Sequence, residues 1–215
     1  MNMIIGIDLG TTNSSVSYFS EKGTVIIPNR FGEKLTPSVV SFGDNGEVYV
    51  GKVAKERMIT HPESTKELFK RSMGSKKEFI INENKFTAEE LSSFIIRSLK
   101  EDAEEYLGSE VNEAIISVPA YFNDKQRKAT QLAGKLAGLK VERIVNEPTA
   151  AAIAYGLQNR NTNTKFLVFD LGGGTFDVSI LEVYKNIMEV HAVAGDNYLG
   201  GDDFTEILVN MFLRA

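Results

Sequence analysis

Apolar residues follow two rhythms along this chain, and the change from one to the other lays out its elements. Residues 3–8, 14–19 and 24–27 run apolar or alternate apolar with polar, the two-residue period of strands. Shorter strand candidates at 38–42 and 48–50 sit in a stretch broken by Gly32, Pro37, Gly43 and Gly46. The period then lengthens. Leu91, Phe94, Ile95, Leu99, Ala103 and Tyr106 fall on one helical face, opened by Thr87 with Glu90 as a capping box and closed by Gly108. A strand at 113–118, a helix at 124–137 ended by Gly138 and a strand at 140–145 follow. The next helix starts at Glu147-Pro148, with proline pre-set for a first turn, and ends at Gly156. Residues 158–164 carry no apolar side chain and read as a link; beyond them the strand rhythm returns at 166–168 and 177–183, and a last helix spans 204–213. Alternation of this kind predicts an α/β fold.

One phrase occurs twice on this framework. Ile7-Asp8-Leu9-Gly10-Thr11-Thr12-Asn13 is echoed by Phe169-Asp170-Leu171-Gly172-Gly173-Gly174-Thr175-Phe176-Asp177. Each copy joins an apolar run to an alternating one, so each predicts a tight turn between two strands. Glycine lets the main chain approach a phosphate, threonine hydroxyls add donors, and each aspartate at a strand end suits a divalent cation or its waters. A single Asp-x-Gly is usually only a hairpin turn, whereas two with matching flanks imply a duplicated unit. No Gly-Lys-Ser/Thr follows either turn, which excludes a Walker loop.

Composition narrows the chemistry. The 215 residues, 42% apolar, suit one large domain or two small ones. The absence of cysteine excludes disulfides and thiolate metal sites, and His61 and His191 alone make no zinc cluster, so a metal here should be hard and oxygen-bound. A net charge of −5 with no basic stripe argues against nucleic acid. No basic leader precedes a long apolar stretch and no run approaches membrane-spanning length; a cytoplasmic protein with no membrane partner is the expectation.

Three further groups stay open on the residues alone. Lys70, in Leu68-Phe69-Lys70-Arg71, reads as a solvated lysine or as one that swings into a cleft. Glu147 reads first as a carboxylate stabilised by a helix N-terminus. Gly195-Asp196 and Gly200-Gly201-Asp202 precede the last helix and read as an ordinary turn and cap or as a glycine turn facing an anion.

The residues also carry a resemblance. Residues 5–14, Val118-Pro119-Ala120-Tyr121-Phe122, Asn146-Glu147-Pro148-Thr149-Ala150-Ala151-Ala152, residues 169–177 and Leu199-Gly200-Gly201-Asp202-Asp203-Phe204 resemble, in order, the motifs of the heat-shock protein 70 (DnaK-type) chaperones. The match spans nearly the whole chain and looks most like the HscC-type bacterial branch, because the segment between Lys70 and Pro119 looks shorter than in DnaK. The resemblance implies an actin-like, ribonuclease-H-like ATPase domain with ATP between two similar lobes, in a chaperone that couples ATP turnover to unfolded-peptide binding in protein folding and stress response. Asp8 and Asp170 match carboxylates that hold Mg²⁺ through water. Gly10, Thr11, Thr12, Asn13, Gly172, Gly173, Gly174 and Thr175 match the phosphate turns, and Gly200 and Gly201 are placed with them. Lys70 matches the lysine near the γ-phosphate, Glu147 and Asp177 match residues ordering the metal shell and attacking water, and Thr175 is counted with these catalytic residues. Pro119 and Arg127 match a switch and relay to a peptide-binding domain. Implied partners are a J-domain co-chaperone, a nucleotide-exchange factor and unfolded peptide.

The same reading expects residues 1–164 to form the first lobe, with an outer subdomain at about 38–88, and 165–215 to begin an incomplete second lobe. A piece so composed is expected to lack most of the nucleoside pocket, to be inactive alone and to self-associate through its open sheet. Two rival classes share the fold. An actin-like filament protein typically follows the second turn with Thr-Glu, where this chain has Phe176-Asp177, and a sugar or acetate kinase needs a substrate-binding set that is not found.

Overall fold

The computed structural model describes residues 3–156, 164–184 and 187–214. These form two compact units, one of Met1–Ser117 with Asn123–Ile144, the other of Val118–Phe122 with Val145–Ala215. The division falls earlier than position 164, and the third helix expected from sequence goes with the second unit. Most of the apolar-free link at 158–164 lies outside the described residues.

The first unit begins with β1 (Ile4–Asp8), β2 (Asn13–Ser20) and β3 (Gly23–Ile27), an antiparallel meander. The short β4 (Thr36–Pro37) adds to β2 through the pairs Asn13–Pro37 and Ser14–Thr36. Next come β5 (Val40–Phe42), β6 (Val48–Val50), α1 (Lys52–Thr60) and β7 (Thr65–Lys66), with β6, β5 and β7 making a small antiparallel sheet. A hairpin of β8 (Phe79–Ile81) and β9 (Asn84–Phe86) leads to α2 (Ala88–Leu107). Then β10 (Glu113–Val118), α3 (Asp124–Leu136) and β11 (Lys140–Asn146) complete a sheet ordered β11-β10-β1-β2-β3, in which β10 runs parallel to β1.

The expected α2 is present with both halves of its capping box: Thr87 Oγ1 accepts from the Glu90 amide and Glu90 Oε2 accepts from the Thr87 amide. Its apolar stripe needs one correction. Leu91, Ile95, Leu99 and Ala103 are buried, and Ile96 joins them, because the helix packs on both the sheet and α3; Tyr106 instead is 49% exposed in the last turn and leans on the ring of Tyr18. Phe94 is half-buried in a cluster with Phe42 and Phe86, which ties the small sheet and the β8–β9 hairpin to α2.

The second unit holds α4 (Glu147–Ala154), then β12 (Thr164–Leu171), β13 (Phe176–Tyr184), β14 (Ile187–Asp196) and α5 (Gly201–Arg214). Strands β12, β13 and β14 form an antiparallel meander that repeats the plan of β1–β2–β3.

One buried charge links the loop after β3 to α2. The Asp102 carboxylate is buried, and its Oδ1 accepts from the backbone amide and Nε of Arg30. Desolvation raises its pKa above the ordinary carboxylate value, and Arg30 only partly opposes that. The folded chain therefore keeps this proton to higher pH than the unfolded chain does. The resulting stability is complete below the ordinary carboxylate range and is lost as pH rises through the raised value. Asp102→Asn, neutral throughout, should gain stability relative to the unmodified chain as pH climbs from about 4 to 7, read from urea midpoints; parallel curves for the two proteins would show that Asp102 does not titrate as argued.

Candidate functional site

The two repeated phrases fold into hairpins of identical register. Asp8 lies opposite Ser15 across β1–β2, and Asp170 lies opposite Asp177 across β12–β13, seven positions apart in both cases. The duplication seen in the residues is thus a duplication of geometry.

In the first hairpin, Asp8 ends β1 with an exposed carboxylate, and Ser117 Oγ on the parallel β10 donates to its Oδ1 at 2.8 Å. Leu9 is buried and pins the turn to the core. Gly10 is required by close approach: a Cβ there would stand 1.9 Å from the Asn13 carbonyl oxygen. Two turn carbonyls are held from behind by Ser38, whose Oγ donates to Gly10 O at 2.8 Å and whose amide donates to Thr12 O at 2.9 Å. A trans peptide points its N–H opposite its C=O, so the amides of Thr11 and Asn13 aim the other way. Thr11 is 6% exposed, and its Oγ1 is a buried hydroxyl with no hydrogen-bonding partner in the protein.

The second hairpin reaches the same result with different parts. Gly172 N closes the turn on Thr175 O at 3.0 Å. The carbonyls of Gly172 and Gly173 accept from the amides of Gly201 and Asp202 at 3.0 and 2.9 Å, so the amides of Gly173 and Gly174 aim away from α5. Thr175 and Asp177 are buried, and Asp170 is half-buried. Gly200 is forced by contact, since a Cβ would meet Gly173 O at 2.3 Å, and its own amide is taken by Asp203 Oδ2 at 2.7 Å. The first amides of α5 are therefore committed to the turn's carbonyls. Gly200 and Gly201, expected from sequence to join the phosphate turns, spend their amides on Asp203 Oδ2 and Gly172 O and so brace the second turn.

The remaining expected residues sit as follows. Lys70 lies in a 3₁₀ turn, Phe69–Ser72, behind Leu68 in the left-handed region at φ 57°. It is only 3% exposed, rare for a lysine. Glu147 follows β11 without a loop and opens α4, half-buried beside the buried Pro148. Pro119 is buried in the Val118–Phe122 segment of the second unit, and Arg127 is half-buried in the first turn of α3 in the first unit. Ser14, Ser38 and Ser117 escaped the sequence reading; an isolated serine carries no signal, and only the pairing of Thr36–Pro37 with β2 brings Ser38 to the turn. Among the described residues, no three Asp, Glu or His side chains gather to hold a bare metal ion, and no helix is long and apolar enough to cross a membrane.

Two hairpins of one register, each with a braced glycine turn and an aspartate at the strand end, define an α/β fold with a duplicated turn. Residues 4–82 and 76–215 match the family described as Hsp70 protein, and the chain belongs to that family. The actin-like α/β fold expected of the family agrees with the architecture above. Over 208 residues the chain is 54% identical to the "Chaperone protein DnaK" of Thermotoga petrophila, covering 96% of this chain and 35% of that protein. Proteins of the same name from Thermotoga neapolitana and Thermotoga maritima give the same identity and coverage. The chain spans about a third of the length of these curated relatives.

The glycines supply a direct check on the turns. Gly10→Ala and Gly200→Ala, each driving a Cβ into backbone, should destabilise by more than about 2 kcal/mol. Gly172→Ala, whose nearest contact is an ordinary 3.5 Å, should cost under about 1 kcal/mol by urea denaturation. Equal costs at the three positions would contradict the packing described.

Proposed function

We propose that this chain is the nucleotide-binding and nucleotide-hydrolysing part of a DnaK-type chaperone, acting on ATP with Mg²⁺ and releasing ADP. In the complete protein, turnover would be coupled to binding and release of unfolded peptide, assisted by a J-domain co-chaperone and an exchange factor, in the cytoplasm. The observation that carries this reading is the shared construction of the two turns: each has two carbonyls tied from behind and two amides aimed away, the polarity that an anion needs. The orphaned Thr11 hydroxyl is a further donor that a phosphate oxygen would satisfy.

The residues divide the chemistry among them. Gly10, Thr11, Thr12 and Asn13 in one turn, and Gly172, Gly173, Gly174 and Thr175 in the other, bind and orient phosphate oxygens. Asp8 and Asp170, at equivalent strand ends, would hold Mg²⁺ through its waters; the cation supplies charge neutralisation on the phosphates. Lys70 brings a buried positive charge to the γ-phosphoryl group, and Asp177 and Glu147 orient the attacking water. Phosphoryl transfer asks little covalent help of a protein, so positioning and charge supply most of the rate. Pro119 and Arg127 would relay the state of the site to the peptide-binding part.

Two outcomes test the assignment in the full-length protein. Lys70→Ala should leave ATP affinity within about tenfold while hydrolysis nearly stops, because the interaction is made mainly in the transition state. If affinity collapsed and the chemical step kept its rate, Lys70 would be a binding residue only. Asp8→Asn and Asp170→Asn should each lower the single-turnover rate constant by roughly 10²-fold at saturating Mg²⁺; unchanged rates in both would remove the metal role.

A further inference from the structure

Ser38 and Ser14 close a ring around Gly10. Ser38 Oγ donates its one proton to Gly10 O at 2.8 Å, so in the 2.9 Å contact between the two hydroxyls Ser14 must be the donor. Ser14 Oγ in turn accepts from the Gly10 amide at 3.2 Å. The circuit runs from Gly10 N–H to Ser14, from Ser14 to Ser38, and from Ser38 back to Gly10 C=O. Both side chains are buried, Ser38 being 2% exposed, so water does not compete for these bonds.

We propose that this hydroxyl ring makes Ser38, with Ser14, a positioning pair that sets the first phosphate turn for hydrolysis. Both polar groups of Gly10 are fixed by it, and the Ser38 amide fixes Thr12 O as well, so the plane of each peptide carrying an outward amide is determined from behind. A buried chain of hydrogen bonds polarises its members, and loss of one link leaves the others without a partner. The position equivalent to Ser14 in the second hairpin is Phe176, which has no hydroxyl, and the brace there comes from the amides of Gly201 and Asp202. The carbonyls of the first turn thus depend on Ser38, whose hydroxyl a substitution can remove.

The proposal rests on the nucleotide-hydrolysing function assigned above, and the experiment separates the two. In the full-length protein, Ser38→Ala and Ser14→Ala are each expected to lower the single-turnover rate constant for MgATP about tenfold, with equilibrium ATP affinity held within about threefold. The double variant should lose little more than the worse single one, since the ring opens at either point. Ser38→Thr, which keeps the hydroxyl, should recover most of the rate, a rescue that a space-filling role would not give. If Ser38→Ala does not fold, Ser14→Ala and Ser38→Cys carry the same comparison, thiol being a weak donor of similar size. Unmodified rates in both alanine variants, or fully additive losses, would overturn the ring while leaving the ATPase assignment intact. An unmodified protein that hydrolyses no ATP, with Lys70→Ala indistinguishable from it, would overturn both.

Discussion

The destination of four carbonyl oxygens decides what the two glycine turns can do. A tight turn carries as many acceptors as donors, and an anion brought to it meets attraction or repulsion according to which set faces out. A carbonyl left buried without a partner costs about 1–3 kcal/mol, so the acceptors also need somewhere to go. Tying Gly10 O and Thr12 O to Ser38, and Gly172 O and Gly173 O to the start of α5, meets both demands at once. The glycines follow from that arrangement: Gly10 and Gly200 are residues at which a single methyl group would occupy the space of a neighbouring carbonyl oxygen.

Duplication preserved the register and not the parts. Each strand-end aspartate faces the position seven residues on, but that partner is Ser15 in the first hairpin and Asp177 in the second. The first aspartate instead takes a hydroxyl from the parallel strand β10, through Ser117. Two copies of one backbone have therefore been given different charges, the first a lone strand-end carboxylate and the second a facing pair.

Elements whose ends carry chemistry were legible in the sequence, and elements held only by their surroundings were not. Thr87 with Glu90 announced α2, Gly138 closed α3 and Pro148 opened α4. Helix α1 gave no such sign: its N-cap is Gly51, no side chain caps it, and only Ala54 among its residues is buried. The β8–β9 hairpin turns at Asn82 and Glu83, both with positive φ, without the glycine that usually marks such a turn. In the site, the duplicated phrase exposed both turns because glycine and aspartate are demanded there. The braces were hidden, since Ser38 does its work through one hydroxyl and one amide in a segment that reads only as loop. Gly200 and Gly201 looked like a third anion turn for the reason that makes them a brace: glycine before a helix signals close backbone approach without saying to what.

Burial of an ionisable group does not by itself mark function, as two residues of the first unit show. Asp102 is buried, yet Arg30 reaches it with a guanidinium and an amide, and the pair anchors the loop leading to β4; that is a structural account. Lys70 is as deeply placed but sits in a short 3₁₀ turn entered through Leu68 in the left-handed region, a conformation that costs a branched side chain on the order of 1 kcal/mol. A chain under selection for stability alone would put glycine or asparagine at 68 and let the lysine reach water. A strained entry and a buried lysine side by side mean that two local preferences are overridden at one place in the chain.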